Sequence, residues 1–368
     1  MSTRALRSID ERWMRIALDQ ARKGLGLTRP NPPVGAVVVA GRQFAGAGFH
    51  RRAGGPHAEI HALRRAGTRA RGATLYVTLE PCSTTGRTPP CTDAIIKAGI
   101  RRVVVATLDP NPRHAGRGIK ILRRAGIAVA VGIAAGDARH LVAPFTAWIK
   151  QQRPMVTLKM AVTLDGRIAD TRGRSRWLSG PTSRAFVQTL RRHADAIMVG
   201  GGTIRADDPS LLPRPAYGRR PLRVIVSATG SLAPRAKVLC DGCQSQTVIA
   251  TTRRCSPALI NRMLACGVTV KVLPTLHGHV DLRALMRYLG RLGILHVLCE
   301  GGGHLAGALF KARLVDQLYW VVAPAVLGDA AIASVAGVDW SLKAAQRFRP
   351  VATHRCGDDC IIHLVSSQ

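Results

Sequence analysis

Two short stretches carry residue types able to grip a metal ion and move a proton. They are Pro56-His57-Ala58-Glu59, and Pro81-Cys82 with eight residues separating it from Cys91. One imidazole and two thiolates make three protein ligands for zinc, which prefers four, so a fourth corner is left for water. Coordination brings that water's pKa from ~15.7 down to ~7. His57 follows a proline, where a helix can begin. Glu59 would point away from His57 in mid-helix, but in a first turn one side chain can ligate while the other reaches the water. Its carboxylate can then take a proton from water and pass it to a leaving group. His57 and His61 are also spaced i, i+4. A zinc-protease motif, however, puts Glu directly after the first His, and here Ala58 intervenes.

The order His-x-Glu, then Pro-Cys after a strand, then a second Cys opening a helix is the pattern of zinc-dependent deaminases. These hydrolyse an exocyclic amine on a nitrogen heterocycle. The C-terminal half carries weaker signals. Gly200-Gly201-Gly202-Thr203 and Gly301-Gly302-Gly303 each leave a predicted strand. Backbone amides there can approach phosphate, or the glycines simply make tight turns. Neither fits the Gly-x-Gly-x-x-Gly fingerprint. Arg191 and Arg214 could pair with a phosphate, and Asp207-Asp208-Pro209 could cap a turn or serve catalysis. Cys240-Asp241-Gly242-Cys243 has no second pair at zinc spacing and reads as a surface turn; Cys356 and Cys360 read as incidental.

These residues need a scaffold. Trp13, Ile16, Ala17 and Ala21 recur at helical spacing. Residues 34–39, 73–79, 103–107 and 127–131 predict strands, with a short one between Gly41 and Gly46. Helices are expected from His57, over 92–98 with Thr92 as N-cap, and around 120–124. This order implies a mainly parallel sheet with helices on both faces. The polar run Lys150-Gln151-Gln152-Arg153-Pro154 reads as a linker between domains at 1–148 and 154–368. Beyond it, strands predicted at 155–159, 196–199, 222–226, 247–250, 268–272, 296–299 and 318–322 are interspersed with helices at 183–192, 257–265, 282–289 and 305–312. The second domain is therefore also α/β.

Bulk properties agree with two soluble domains. The chain has 368 residues, 46% hydrophobic and 20% charged, which is globular composition. Aromatics are only 4%, so aliphatic side chains must fill the cores. No apolar run has the length of a membrane span, and the arginine-rich N-terminus lacks the apolar stretch of a secretory signal. Nine irregularly spaced cysteines do not form a disulfide framework and suit a reducing cytoplasm. The net charge of +33 invites a nucleic-acid partner. Residues 1–150, however, carry 25 Lys/Arg against 8 Asp/Glu (+17), and residues 151–368 carry 29 against 13 (+16). A charge spread this evenly, without an aromatic–basic stripe, fits an arginine-rich composition and anionic small substrates better than nucleic acid. The competing reading is an RNA-acting zinc deaminase with a C-terminal binding module, and it requires RNA binding that survives ~200 mM salt. A homo-oligomer is neither required nor excluded.

The runs His57-Ala-Glu-Ile-His-Ala-Leu63, Ala73-Thr-Leu-Tyr-Val-Thr-Leu-Glu-Pro-Cys-Ser83 and Gly86-Arg-Thr-Pro-Pro-Cys91 resemble the bifunctional riboflavin-biosynthesis deaminase/reductase family. So do Asn31-Pro-Pro-Val-Gly35, Asp109-Pro-Asn-Pro112, Leu158-Lys159, Thr163-Leu-Asp-Gly166, Ser175-Arg-Trp177, Asp195-Ala-Ile-Met-Val-Gly200, Asp207-Asp-Pro209 and Glu300-Gly-Gly302. The resemblance implies a cytidine-deaminase-like three-layer domain followed by a dihydrofolate-reductase-like α/β domain. It implies zinc-dependent deamination of 2,5-diamino-6-(ribosylamino)pyrimidinone 5′-phosphate, then NADPH-dependent reduction of the ribosyl group to ribityl. Carried over residue by residue, His57, Cys82 and Cys91 bind zinc and Glu59 shuttles the proton. Asn31, His50 and Arg87 contact the pyrimidine nucleotide. Ala161, Trp177, Thr203, Asp207 and the run Gly302, Gly303, His304, Leu305, Ala306, Gly307 and Ala308 contact the dinucleotide. Ser175, Arg191, Leu211, Arg214 and Glu300 contact the reductase substrate, whose phosphate would engage the two arginines. The chain departs from the family in three places: Thr84 where His is usual, Leu212-Pro213 where Thr-Val is common, and Ser227-Ala228 where Asp-Ser is usual.

Overall fold

Valine-rich runs alternate with arginine-studded helices along the chain, and a computed structural model shows how they pair. It describes residues 3–216 and 218–367. The chain divides into two compact units, Met1–Gln152 and Arg153–Gln368. No helix among the described residues is long and apolar enough to cross a membrane.

The first unit runs α1 (Thr3–Arg22), β1 (Gly35–Ala40), β2 (Gln43–Phe49), α2 (Ala58–Ala66), β3 (Thr74–Val77), α3 (Cys91–Lys97), β4 (Arg102–Val105), α4 (Arg117–Arg124), β5 (Ala128–Val131), α5 (Ala135–Leu141) and α6 (Ala143–Gln151). Its sheet has the order β2-β1-β3-β4-β5. The pairs β3–β4 and β4–β5 are parallel, but β1 runs antiparallel to both β2 and β3. The sheet is thus mixed, where the sequence pointed to a mainly parallel one. The cause is local: only two residues, Gly41 and Arg42, separate β1 from β2, with Gly41 at φ 61°. So short a link can join only antiparallel neighbours.

Period-two alternation gives this sheet two buried faces. Ala36, Val38, Leu75, Val77, Val103 and Val105 meet α2, α3 and α4 through Ala62, Ile95 and Leu122. Val37, Val39, Tyr76 and Val104 meet α1 and α5 through Met14, Ala17, Leu18 and Ala138. The result is three layers. Glycine permits the closest approach, that of α2 to β2: a Cβ at Gly48 would stand 2.4 Å from the His61 Cβ and 2.7 Å from the Ala58 carbonyl oxygen. On the other face Asp10 of α1 accepts a hydrogen bond from the Tyr76 hydroxyl at 2.9 Å. It also accepts two from Arg102, at 2.8 and 2.6 Å.

The second unit continues β6 (Met155–Thr163), β7 (Arg167–Ala169), α7 (Pro181–His193), β8 (Ala196–Gly200), α8 (Gly201–Asp207), β9 (Leu222–Val226), α9 (Lys237–Cys240), β10 (Thr247–Thr251), α10 (Pro257–Ala265) and β11 (Thr269–Val272). It closes with β12 (Thr275–Leu276), β13 (His279–Val280), α11 (Leu282–Arg291), β14 (His296–Cys299), α12 (Gly303–Lys311), β15 (Gln317–Ala323), β16 (Ile332–Ala333), β17 (Phe348–Cys356) and β18 (Asp359–Ser366). Nine strands form one sheet in the order β11-β10-β9-β8-β14-β6-β15-β18-β17. Every pairing from β11 to β15 is parallel, and the β17–β18 hairpin adds antiparallel strands at one edge. The sequence reading missed this hairpin. β17 is an edge strand with mostly exposed side chains and a proline, so it lacks an apolar rhythm. Within the first glycine run, Gly200 ends β8 and Gly201 opens α8.

Cys240-Asp241-Gly242-Cys243 has a structural purpose. Asp241 receives Arg223, a guanidinium with no exposed surface, through contacts of 2.5 and 3.0 Å. Arg223 also donates to Thr247 Oγ1 at 2.9 Å. All nine cysteines are free thiols.

Candidate functional site

The first helix turn of α2 places two of the predicted groups. His57 is its N-cap, extended at φ −74° and ψ 168°, and Glu59 sits in the turn that follows, 3% exposed. Cys82 lies in the loop after β3. Cys91 is the first residue of α3, with Pro90 as N-cap; Thr92, expected to cap, lies inside the helix. The cap is unnecessary because the Cys91 N–H already donates to the Cys82 sulfur at 3.3 Å. A helix N-terminus so used favours thiolate.

His57 Nδ1, Cys82 Sγ and Cys91 Sγ all lie within 4.8 Å of one another. Nδ1 is 3.2 Å from the Cys91 sulfur and 3.5 Å from the Cys82 sulfur. Zinc bonds of ~2.0 Å to nitrogen and ~2.3 Å to sulfur, at tetrahedral angles, require donor gaps of about 3.5 Å. The donor set fits zinc in both chemistry and spacing. Among the described residues no fourth side chain joins it, and Glu59 stands outside it.

The electrostatics suit a cation. A hydrogen bond from Cys91 holds the Cys82 thiol down at about 4, and that same bond pushes Cys91 well above the ordinary thiol range. Hydrogen bonding to Cys82 raises His57. Burial pushes Glu59 up to about 7. Asn31 and His50 join this cluster. The His50 ring meets the His57 ring edge-on at 5.1 Å, its Nδ1 lies 3.1 Å from the Pro56 carbonyl, and its Nε2 lies 3.1 Å from the Asn31 amide nitrogen. Burial lowers the His50 pKa, so the ring is neutral, donating from Nδ1 and accepting at Nε2. Arg87 and Thr84 lie exposed on the loop between the two cysteines.

In the second unit, Arg191 of α7 and Glu300, directly after β14, form a two-pronged pair at 2.7 and 2.9 Å. Sequence reasoning gave Lys159 of β6 no role, yet it lies in the field of Glu300, Arg191 and Asp359. Burial lowers its pKa. Burial alone would raise Glu300, but the Arg191 and Lys159 charges outweigh it and hold that carboxylate below its usual value. Asp359, from the hairpin that the sequence reading missed, accepts the Gly180 N–H at the start of α7 at 2.8 Å. A lone lysine in the otherwise uncharged run of β6 is the signal that could have singled out Lys159. Asp359 had none, because its neighbours are remote in sequence.

The remaining predicted residues fall around these groups unevenly. Leu211 is buried, while Arg214 is exposed and its backbone N–H donates to Gln188 Oε1 of α7 at 2.8 Å. Arg176 donates to the Asp207 carbonyl at 2.5 Å, which draws the Ser175–Trp177 segment to the C-terminal end of α8; Thr203 lies one turn earlier in that helix. Trp177 is 71% exposed, with the Arg184 guanidinium 4.4 Å over its ring. Along α12, Gly302, His304 and Ala308 reach the surface, whereas Gly303, Leu305, Ala306 and Gly307 are buried. A Cβ at Gly303 or Gly307 would stand 2.3 or 1.9 Å from the carbonyl oxygens of Ala333 and Ala336. Those two glycines let the helix lie against its neighbouring loop. Ala161 is half-buried on β6.

Comparison with known proteins covers both units. Residues 7–107 match the cytidine and deoxycytidylate deaminase zinc-binding region, and residues 154–362 match the RibD C-terminal domain. The second match lies where the RNA reading had placed a binding module. The chain is 41% identical to riboflavin biosynthesis protein RibD of Aquifex aeolicus, over 97% of this chain and 98% of that one. It is 39% identical to RibD of Escherichia coli, over 97% and 100%. Among solved structures it resembles Acinetobacter baumannii RibD with a TM-score of 0.88 at 36% identity, covering 98% of this chain and 100% of that one. It also resembles a diaminohydroxyphosphoribosylaminopyrimidine deaminase/5-amino-6-(5-phosphoribosylamino)uracil reductase of Thermotoga maritima, with a TM-score of 0.86 at 32% identity over 98% and 99%. With a zinc-type donor triad in one unit, a reductase domain in the other and relatives matched over nearly their whole length, this chain belongs to the RibD family of bifunctional deaminase/reductases of riboflavin biosynthesis.

Proposed function

We propose that the first unit deaminates 2,5-diamino-6-(ribosylamino)pyrimidinone 5′-phosphate and that the second reduces the deaminated product with NADPH. The observation that carries the first step is the triad of His57, Cys82 and Cys91 within 4.8 Å, with buried Glu59 beside it. His57 Nδ1 and the two sulfurs would hold zinc, which when bound makes water acidic enough to attack at neutral pH. Glu59 takes a proton from the attacking water and delivers it to the departing amine, which leaves as ammonia. Neutral His50, fixed by Pro56 and Asn31, lines the pocket as a rigid wall, and Asn31 and Arg87 orient the nucleotide.

In the second unit NADPH supplies the hydride when bound, and the chain supplies the accompanying proton. Lys159 Nζ, drawn down in pKa by burial and set beside Glu300 and Arg191, is the group suited to give it. Trp177, Thr203, Asp207, exposed His304 and half-buried Gly302 and Ala308 flank the dinucleotide; Arg214 and Ser175 face the phosphorylated substrate. Because two of the Arg191 N–H groups are engaged with Glu300, we assign Arg191 to holding that carboxylate rather than to gripping phosphate alone. The chemistry needs Cys82 and Cys91 as free thiols, and their unbridged state supports a reducing compartment such as the cytoplasm.

The test is incubation with the pyrimidine substrate, with and without NADPH, reading product masses. The expected results are an amine-to-carbonyl mass change without the cofactor and a further gain of two hydrogens with it. An unchanged substrate mass with zinc-replete protein would overturn the deaminase assignment, and a stalled deaminated product with NADPH would overturn the reductase one.

A further inference from the structure

Glu80, two residues before Cys82, is 5% exposed and has no cationic partner among the described residues, yet its carboxylate is fully employed. Oε2 accepts the backbone N–H of Gly116 at 2.8 Å and of Asp109 at 3.3 Å. Oε1 accepts those of Gly118 at 3.0 Å and Ile119 at 3.4 Å. Four amides thus converge on one carboxylate and occupy both of its oxygens. Two of the four belong to the first turn of α4, whose N-cap, Gly116, has no side chain to offer. A residue from another element does the capping.

The consequence is a closed loop. Residues 109–119 leave β4 and return to α4 with both ends pinned to the residue that leads into the metal loop. Contact is close on the metal side: a Cβ at Gly118 would stand 2.2 Å from the carbonyl oxygen of Pro81, which links Glu80 to Cys82. Within the loop, Asp109 accepts the Asn111 N–H at 2.8 Å, so the turn is stiff rather than slack. The Glu80 backbone is itself fixed, its N–H donating to the Thr107 carbonyl at 3.0 Å. Nothing in the established activity assigns this segment a task.

We propose that Glu80 is a positioning residue of the deaminase. By clamping residues 109–119 against Pro81 it fixes the backbone from which the Cys82 sulfur is presented, and so sets the metal centre and the loop beside it as one rigid piece. The proposal rests on the zinc reading of His57, Cys82 and Cys91. Groups that orient ligands without touching the metal typically contribute 10- to 100-fold in metal affinity or activity.

The test uses the full chain as wild type, Glu80→Gln, Glu80→Ala and Gly118→Ala. Zinc affinity is measured by chelator competition, and the cobalt(II)-substituted protein is read by its visible absorption. Glu80→Gln keeps one accepting oxygen and should weaken zinc binding ~10-fold, with Glu80→Ala weakening it further. Gly118→Ala leaves the carboxylate intact but wedges the loop off Pro81, and should shift the cobalt spectrum in the same sense as Glu80→Gln. Deaminase kcat should fall more than KM rises, and reductase activity, the internal control for folding, should stay at wild-type level. Unchanged zinc affinity and cobalt spectrum in Glu80→Gln would overturn the proposal. So would loss of both activities together, which would mark Glu80 as merely structural. If the wild type bound no zinc, the metal-centre reading would fall, and the role of Glu80 with it.

Discussion

Arg191 and Glu300 meet as a two-pronged ion pair, Nε to Oε1 at 2.7 Å and Nη2 to Oε2 at 2.9 Å, largely shielded from water. The pair joins α7 to the end of β14 and keeps a carboxylate charged next to Lys159. Breaking one side of a buried pair costs more than the pair itself contributes, because a charge is left uncompensated. Glu300→Gln should therefore cut reductase kcat by at least ~10-fold, a barrier increase of about 1.4 kcal/mol, while deamination continues at the wild-type rate. Steady-state NADPH oxidation measured beside substrate deamination checks this, and equal losses in both assays would refute it.

Deamination depends on Glu59 as a proton carrier and not as a ligand. Glu59→Gln should lower the deaminase rate by ~10²–10⁴-fold and leave one zinc per chain by elemental analysis. Stripping zinc with a chelator should abolish deamination and spare the reductase. Loss of zinc from Glu59→Gln would show that the carboxylate binds the metal.

The seat of α2 on β2 tolerates no added methyl. Gly48→Ala would set a carbon 2.4 Å from the His61 Cβ and 2.7 Å from the Ala58 carbonyl oxygen. Overpacking of this kind costs ~1–3 kcal/mol. It would also tilt the helix turn that carries His57 and Glu59, so stability and deaminase activity should fall together. Gly41→Ala is the contrast: its surroundings are open, and only the strain of φ 61° opposes the change.

The Cys240–Cys243 turn matters through its aspartate. Asp241→Ala leaves fully buried Arg223 without its carboxylate and should destabilise the second unit by ~3–5 kcal/mol. Cys240 is exposed, and Cys240→Ser should be neutral. Thermal unfolding of the two variants separates them; equal midpoints would show that Arg223 is satisfied by Thr247 and backbone carbonyls alone.

Acid should weaken the second unit through His296. Burial holds this imidazole at about 4, with Thr157 Oγ1 2.8 Å from its Nε2. Unfolded, it titrates near 6.5. The unfolded chain therefore binds the extra proton between those values, so the contribution is complete above pH 6.5 and is lost as pH falls towards 4. The full span is worth up to ~3 kcal/mol. Calorimetry of wild type and His296→Gln from pH 4 to 7 should show a shallower acid slope for the variant; parallel slopes would refute the assignment.

Much of this protein is written locally. The chemistry of His57, Glu59, Cys82 and Cys91 was legible because zinc ligation and proton transfer demand particular side-chain types at particular distances from strand ends and helix starts. The strands β1, β3 and β4 were legible as short apolar runs, which a sheet buried on both faces requires, and α1 was legible from the helical spacing of its apolar residues. Tertiary structure alone decided the rest. The antiparallel set of β1 in the first sheet depends on which edges meet, the edge strand β17 has no apolar rhythm, and Thr92 yields its capping role to a sulfur nine residues before the helix, at Cys82. Lys159, Arg191, Glu300 and Asp359 are drawn together from four separate elements, as are Glu80 and the amides of residues 109–119. Such groupings arise from chain crossings that bury charge against charge, and no local pattern records which distant residue will arrive to neutralise it.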